Sequence, residues 1–71
     1  MIDNFDIALG MALREARKRN NNTLQEVADS LGVTKMTVSH WECGKRSMTA
    51  KQLKQYCRFL GITVQSVIER T

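Results

Sequence analysis

The sequence predicts an all-α domain, on three observations. Proline is absent from the 71 residues. Apolar side chains recur with a period near 3.6 in every long segment, the spacing of a helix that buries one face. Two Thr-x-x-Glu/Gln sets, Thr23 with Glu26 and Thr49 with Gln52, have the form of a capping box: the hydroxyl takes a free amide of the first helical turn, and the third residue reaches back to the cap amide. Together they give five helices in a single domain, residues 1–71, with no linker, repeat or low-complexity stretch to divide it. A chain this short buries a core of marginal stabilising power, so each buried side chain counts.

The first helix carries Ile2, Phe5, Leu9, Ala12, Leu13 and Ala16 on one stripe, about 100° wide, as packing against a core requires. Asp3 or Asn4 can cap its start; Asp6 suits the positive end of the helix dipole, and Arg17, Lys18 and Arg19 suit the negative end. Asn20, Asn21 and Asn22 stop it, because asparagine competes for backbone hydrogen bonds and tolerates left-handed geometry. Ile7 and Met11 lie off the stripe beside Arg14 and Lys18. They read either as scattered surface apolars or as a partner or dimer contact.

The second helix starts at the Thr23 capping box and buries Leu24, Val27, Ala28 and Leu31, spaced i, i+3, i+4 and i+7. Gly32 can take the left-handed conformation that ends a helix sharply, and Thr34 caps the third helix. That helix, from about Lys35 to Glu42, points Val38 and Trp41 one way and Lys35, Met36, Ser39 and His40 the other, with Thr37 at the border. A helix of two turns is poorly stable alone and must be held by its neighbours. Cys43 and Gly44 end it, and Lys45, Arg46 and Ser47 make a basic loop. The fourth helix begins at the Thr49 capping box, with Leu53, Tyr56, Cys57 and Leu60 inward and Phe59 at the edge. Gly61 stops it, and Thr63 caps a last short helix with Val64, Val67 and Ile68 inward.

Several functions fit this composition badly. Cys43 and Cys57 are too few and too unpatterned for a disulfide framework, which points to reduced thiols in a cytosolic protein. His40 and Cys43 share a metal-ligand spacing, but no second pair completes a tetrahedral set, so no metal is expected. The N-terminal MIDNFD is acidic where a secretory signal would be basic, and no apolar run approaches the ~18 residues needed to span a membrane. Catalysis is not expected either, and no cofactor is implied: a lone His has no acid pair beside it, no Gly-rich phosphate loop is present, and neither Cys has an activating base. The formal charge of +4, with a pI near 9.5, suits a nucleic-acid binder.

Shape and charge make the case for double-stranded DNA. A short helix projecting from a compact body, capped at its N-terminus and free of acids on its outer face, suits the major groove, which is about 12 Å wide. Lys35 can donate to guanine N7 or O6. Ser39 and His40 can donate or accept at a base edge or a phosphate, and Met36 and the Thr37 methyl can contact a thymine methyl. Lys, Ser and His also make an ordinary solvated face, and Met36 can serve as a core gap-filler. Phosphate contacts would come from Asn22, Thr23 with the amides that follow it, Gln25, Thr34, Lys45, Arg46 and Ser47; such contacts fix register and make affinity fall with salt.

The stretch Thr23–Lys45 resembles the helix-turn-helix of the lambda-repressor and Cro type, the xenobiotic-response-element-like regulators. The likeness covers residues 9–68 and rests on Arg17, Glu26-Val-Ala28, Leu31-Gly-Val33, Val38, Trp41-Glu42, Gly44-Lys45 and Leu60-Gly-Ile62. It implies a lambda-repressor-like five-helix bundle whose second helix crosses the DNA backbone while the third enters the major groove. It also implies an ion pair between Arg17 and Glu42. Physics independently asks for such a partner, since a carboxylate beside Trp41 at a helix C-terminus faces burial and an unfavourable dipole. The chain departs from the family pattern at Leu24, where many relatives place a Gln that contacts phosphate; that role passes to Gln25 or to backbone amides, or is missing. It departs again at Cys43, where an Asn or Arg is common.

The resemblance implies a phage or prokaryotic repressor that binds a two-fold symmetric operator as a homodimer in the cytoplasm, with RNA polymerase as a possible further contact. The dimer surface is expected on the last helix, through Phe59, Val64, Val67 and Ile68, with the Ile7/Met11 side second. The alternatives are a controller or antitoxin-like activator or partner-binder on the same fold, and a protein-interaction module without DNA binding.

Overall fold

The computed structural model of the chain describes residues 4–71. The expected stripe position of Ile2 and the cap at Asp3 lie outside the described residues. Five helices follow in order: α1 (Asn4–Arg19), α2 (Leu24–Leu31), α3 (Lys35–Glu42), α4 (Ala50–Leu60) and α5 (Val64–Glu69).

Local chemistry sets most of these limits. α2, α3, α4 and α5 each open on a threonine whose hydroxyl accepts the amide three residues on, and the boxes at Thr23 and Thr49 are closed by Glu26 and Gln52. Each cap satisfies an amide that would otherwise lack a helical partner, a contribution of about 1 kcal/mol. α1 ends where Asn21 turns left-handed, with φ 58°, and the Asn22 amide bonds back to the Arg17 carbonyl at 3.1 Å.

The core takes at least one fully covered side chain from every helix: Leu13, Val27, Val38, Tyr56 with Cys57, and Val67. α3 lies against both α1 and α2, while α5 closes the far side against α1 and α4. The crossing of α1 and α3 depends on Gly10. A Cβ there would lie 2.3 Å from the Trp41 carbonyl oxygen and 2.8 Å from that of Glu42, so only glycine lets the two backbones come this close.

Two side chains expected inside are outside. Phe5 is 47 % exposed and Ile68 is 42 % exposed. The first turn of α1 meets the loop after α3 through residues other than Phe5: Ile7 lies against Gly44, and Asp6 accepts a hydrogen bond from the Ser47 hydroxyl at 2.9 Å. Ile7, off the apolar stripe, is thus half spent on an internal contact. In α5, a helix of six residues, Val67 alone is buried, and Ile68 sits about 100° further round, where it stays partly open to solvent.

Candidate nucleic-acid interface

α2 and α3 are joined by three residues, and Gly32 sets their angle. It adopts φ +70° with open space around it, so the requirement is conformational: a side chain would strain the left-handed backbone without meeting any neighbour. Its amide bonds the Ala28 carbonyl, and the chain then extends to Thr34, whose hydroxyl accepts the Thr37 amide at 3.1 Å. The first turn of α3 is thereby presented at the surface.

Below that surface α3 is fixed at three points. Val38 and Trp41 fill the core, and Glu42 is gripped by Arg17 of α1, Nε to Oε2 at 2.7 Å and Nη2 to Oε1 at 3.0 Å. Tyr56 of α4 donates its hydroxyl to the same carboxylate, and the remaining arm of Arg17 donates from Nη1 to the Asn22 carbonyl at 2.8 Å. Every charge in this buried cluster is met by its opposite or by a directed donor, which removes the main penalty of burying it. The Glu42 hydrogen bond raises the Arg17 pKa further, and burial together with the acceptor carboxylate raises that of Tyr56. Four of the five helices are tied at this carboxylate, directly or through the Asn22 carbonyl that precedes α2.

Outward, Lys35 and Met36 are exposed, and Thr37, Ser39 and His40 are half-covered. Met36, at 66 % exposed, is therefore not filling a gap in the core. The five residues expected to face bases lie on or beside one face of α3, and four of them, Lys35, Met36, Ser39 and His40, line a single open concavity of about 560 Å³ together with Leu24, Thr34, Cys43 and Lys45. No carboxylate lines it, and Lys35, Lys45 and Arg46 have no acidic partner among the described residues. Thr37 is turned aside, sharing a 2.8 Å hydrogen bond with Thr34.

The residues expected at phosphates are differently placed. Lys45 and Arg46 are exposed beyond α3. Thr23, Thr34, Asn22, Gln25 and Ser47 are already engaged: Thr23 and Thr34 in capping, Asn22 with Asn20 and Glu26, Gln25 with Asp29 at 2.8 Å, and Ser47 with Asp6. Of the side chains expected at a dimer surface, Val67 is 1 % exposed and belongs to the chain's own core, a correction that leaves Ile68 exposed and Phe59 and Val64 half-covered. The wheel places Val67 correctly inward, but a residue consumed by the fold has no surface to share.

Four contributors were not legible as such. Tyr56 reads as an inward aromatic; the signal for its role was its hydroxyl, which when buried must find a partner. Gly10 was signalled only as a glycine inside a helical stripe. Leu24 and Cys43, noted as departures, share one concavity. No group of three His, Cys, Asp or Glu side chains able to hold a metal, and no helix long and apolar enough to cross a membrane, occurs among the described residues.

Comparison with known proteins agrees with this geometry. The sequence profile of the helix-turn-helix family matches residues 13–67. Among solved structures the chain is similar to the clp gene regulator ClgR from Corynebacterium glutamicum, with 30 % identity, a TM-score of 0.92 and coverage of 99 % of this chain and 90 % of that one. The restriction-modification controller protein C.AhdI from Aeromonas hydrophila is 21 % identical with a TM-score of 0.81, covering 86 % of this chain and 92 % of that one. The biofilm master regulator SinR, solved in complex with DNA, is 23 % identical with a TM-score of 0.77, covering 84 % and 97 %. These last two likenesses are of fold. The comparison with curated proteins found no match.

Proposed function

The chain belongs to the helix-turn-helix family, of Cro/C1 type, whose members are DNA-binding transcriptional regulators, and from that premise we propose that it is a repressor acting on a two-fold symmetric operator. α3 lies in the major groove, with Lys35, Met36, Ser39 and His40 toward base edges and Thr37 at the margin. Lys45, Arg46 and Ser47 meet phosphates from the loop after α3, and the amides after Thr23, with Asn22, Gln25 and Thr34, approach the backbone from around α2. Repression needs no chemistry: a protein seated on the operator blocks polymerase, and a direct contact with RNA polymerase is an additional route. The protein works in the cytoplasm, where its target is.

The observation that carries this reading is the acid-free outer face of α3, flanked by cations that form no ion pair with a carboxylate among the described residues. Such a face attracts a polyanion and repels little of it. Two copies are needed because the described chain measures 26 × 22 × 20 Å between its Cα limits, while successive half-sites lie ~34 Å apart. Phe59, Val64 and Ile68 supply the apolar side of the subunit contact. The test is selection of bound sites from random duplexes, with sedimentation of the resulting complex. Enrichment of an inverted repeat bound by two copies is the expected result; recovery of no preferred sequence at low salt would remove the operator reading.

A further inference from the structure

The concavity beside α3 mixes apolar side chains with cations: Leu24, Met36 and Cys43 line it together with Lys35 and Lys45, and with Thr34, Ser39 and His40. Met36 and Cys43 lie about two helical turns apart on one stripe of α3 and its cap, and Leu24, the first residue of α2, closes the third side. Lys35 and Lys45, both exposed, share the lining. Hydrocarbon and sulfur gain nothing from a phosphate, and a base donor or acceptor set against them would lose its water without replacement. The apolar group that B-form DNA presents in the major groove is the C5-methyl of a pyrimidine. Lys35 narrows the choice, because an ammonium only donates: it matches the O4 acceptor beside the thymine methyl and opposes the amino group that cytosine carries there.

We propose that Leu24, Met36 and Cys43 form a pocket for the methyl group of one thymine in each operator half-site, with Lys35 on the adjoining O4. The three side chains are then specificity-determining residues, one of them, Leu24, outside the face of α3 altogether. This inference rests on the operator reading above.

The experiment takes the duplex recovered by selection and replaces its thymines one at a time by deoxyuridine, which deletes the methyl and keeps every hydrogen-bonding atom. At one position per half-site the native protein should bind about fourfold more weakly, the value of one buried methyl. Met36→Ala, altered at an exposed residue, should bind the thymine and deoxyuridine duplexes alike. At the same position 5-methylcytosine, paired with guanine, should bind better than cytosine and worse than thymine. Equal binding of thymine and deoxyuridine at every position overturns the proposal; so does a deoxyuridine penalty undiminished in Met36→Ala, or 5-methylcytosine no better than cytosine. Failure of the operator reading has a separate signature, since selection would then enrich no duplex.

Discussion

The Glu42 carboxylate accepts from Arg17 Nε, Arg17 Nη2 and the Tyr56 hydroxyl at a position only 5 % exposed. Removing one partner therefore costs more than the bond, because the charge left behind stays out of water. Arg17→Ala is expected to destabilise the fold by about 3–5 kcal/mol in urea unfolding. Tyr56→Phe, which keeps the ring and loses one donor to a charged acceptor, should cost about 1.5–3 kcal/mol. The phenol also sets an alkaline limit. Burial, with the Glu42 hydrogen bond, raises its pKa in the folded chain above the ordinary 10.0, so the folded state holds that proton more tightly than the unfolded one. The associated stability is fully present below pH 10 and is lost as pH rises beyond it; in Tyr56→Phe the melting temperature should fall less steeply over the same alkaline range. Half of this site could be read from sequence. A carboxylate next to Trp41 at a helix end needs a cation, and the family pattern names Arg17. A helical wheel gives the direction of Tyr56 but not the polar atom it meets across the core.

At the level of elements the caps were the most legible feature, since each is decided within four residues. Helix limits followed from Thr23, Thr34, Thr49 and Thr63 at the starts, and from Asn21, Gly32 and Gly61 at the ends. Side-chain burial at the chain ends was less so, and Phe5 and Ile68 show why: periodicity gives the face a residue takes, not whether another element lies opposite. The Thr23 capping box carries a pH dependence of its own. The Thr23 amide, donating to Glu26 at 2.7 Å, lowers the Glu26 pKa below its ordinary 4.5. A depressed carboxylate stabilises the fold above its unfolded value, and that contribution fades as pH falls through the folded one. Glu26→Gln keeps an oxygen for the Thr23 amide and cannot titrate, so its melting temperature should decline less than the native as the pH is lowered from the ordinary 4.5. Gly10 gives the opposite kind of test. Alanine favours a helix interior by about 1 kcal/mol over glycine, yet here its Cβ would meet the Trp41 carbonyl at 2.3 Å. Gly10→Ala should therefore destabilise by about 1–3 kcal/mol, the usual cost of overpacking, and more if the backbones of α1 and α3 cannot separate.

For the whole molecule, the division between holding DNA and reading it turns on where each cation sits. Lys35 lines the concavity with Met36 and His40, whereas Arg46 lies in the loop beyond α3 and outside that lining. A base contact and a phosphate contact respond differently to two variables, sequence and salt. Counterion release depends on how many phosphates are neutralised and is blind to the base; a base-edge hydrogen bond is lost on the wrong sequence and changes the salt slope little. Lys35→Ala should thus lower binding to the selected operator by about 1–3 kcal/mol while leaving random duplex nearly unchanged. Arg46→Ala should weaken both duplexes alike and reduce the slope of log affinity against log salt by about one for each bound copy. Titrations of both proteins on both duplexes, repeated from low to physiological salt, decide the matter. Equal losses on operator and random DNA for Lys35→Ala would move that residue from base reading to the phosphate set, leaving Met36, Ser39 and His40 to carry the sequence.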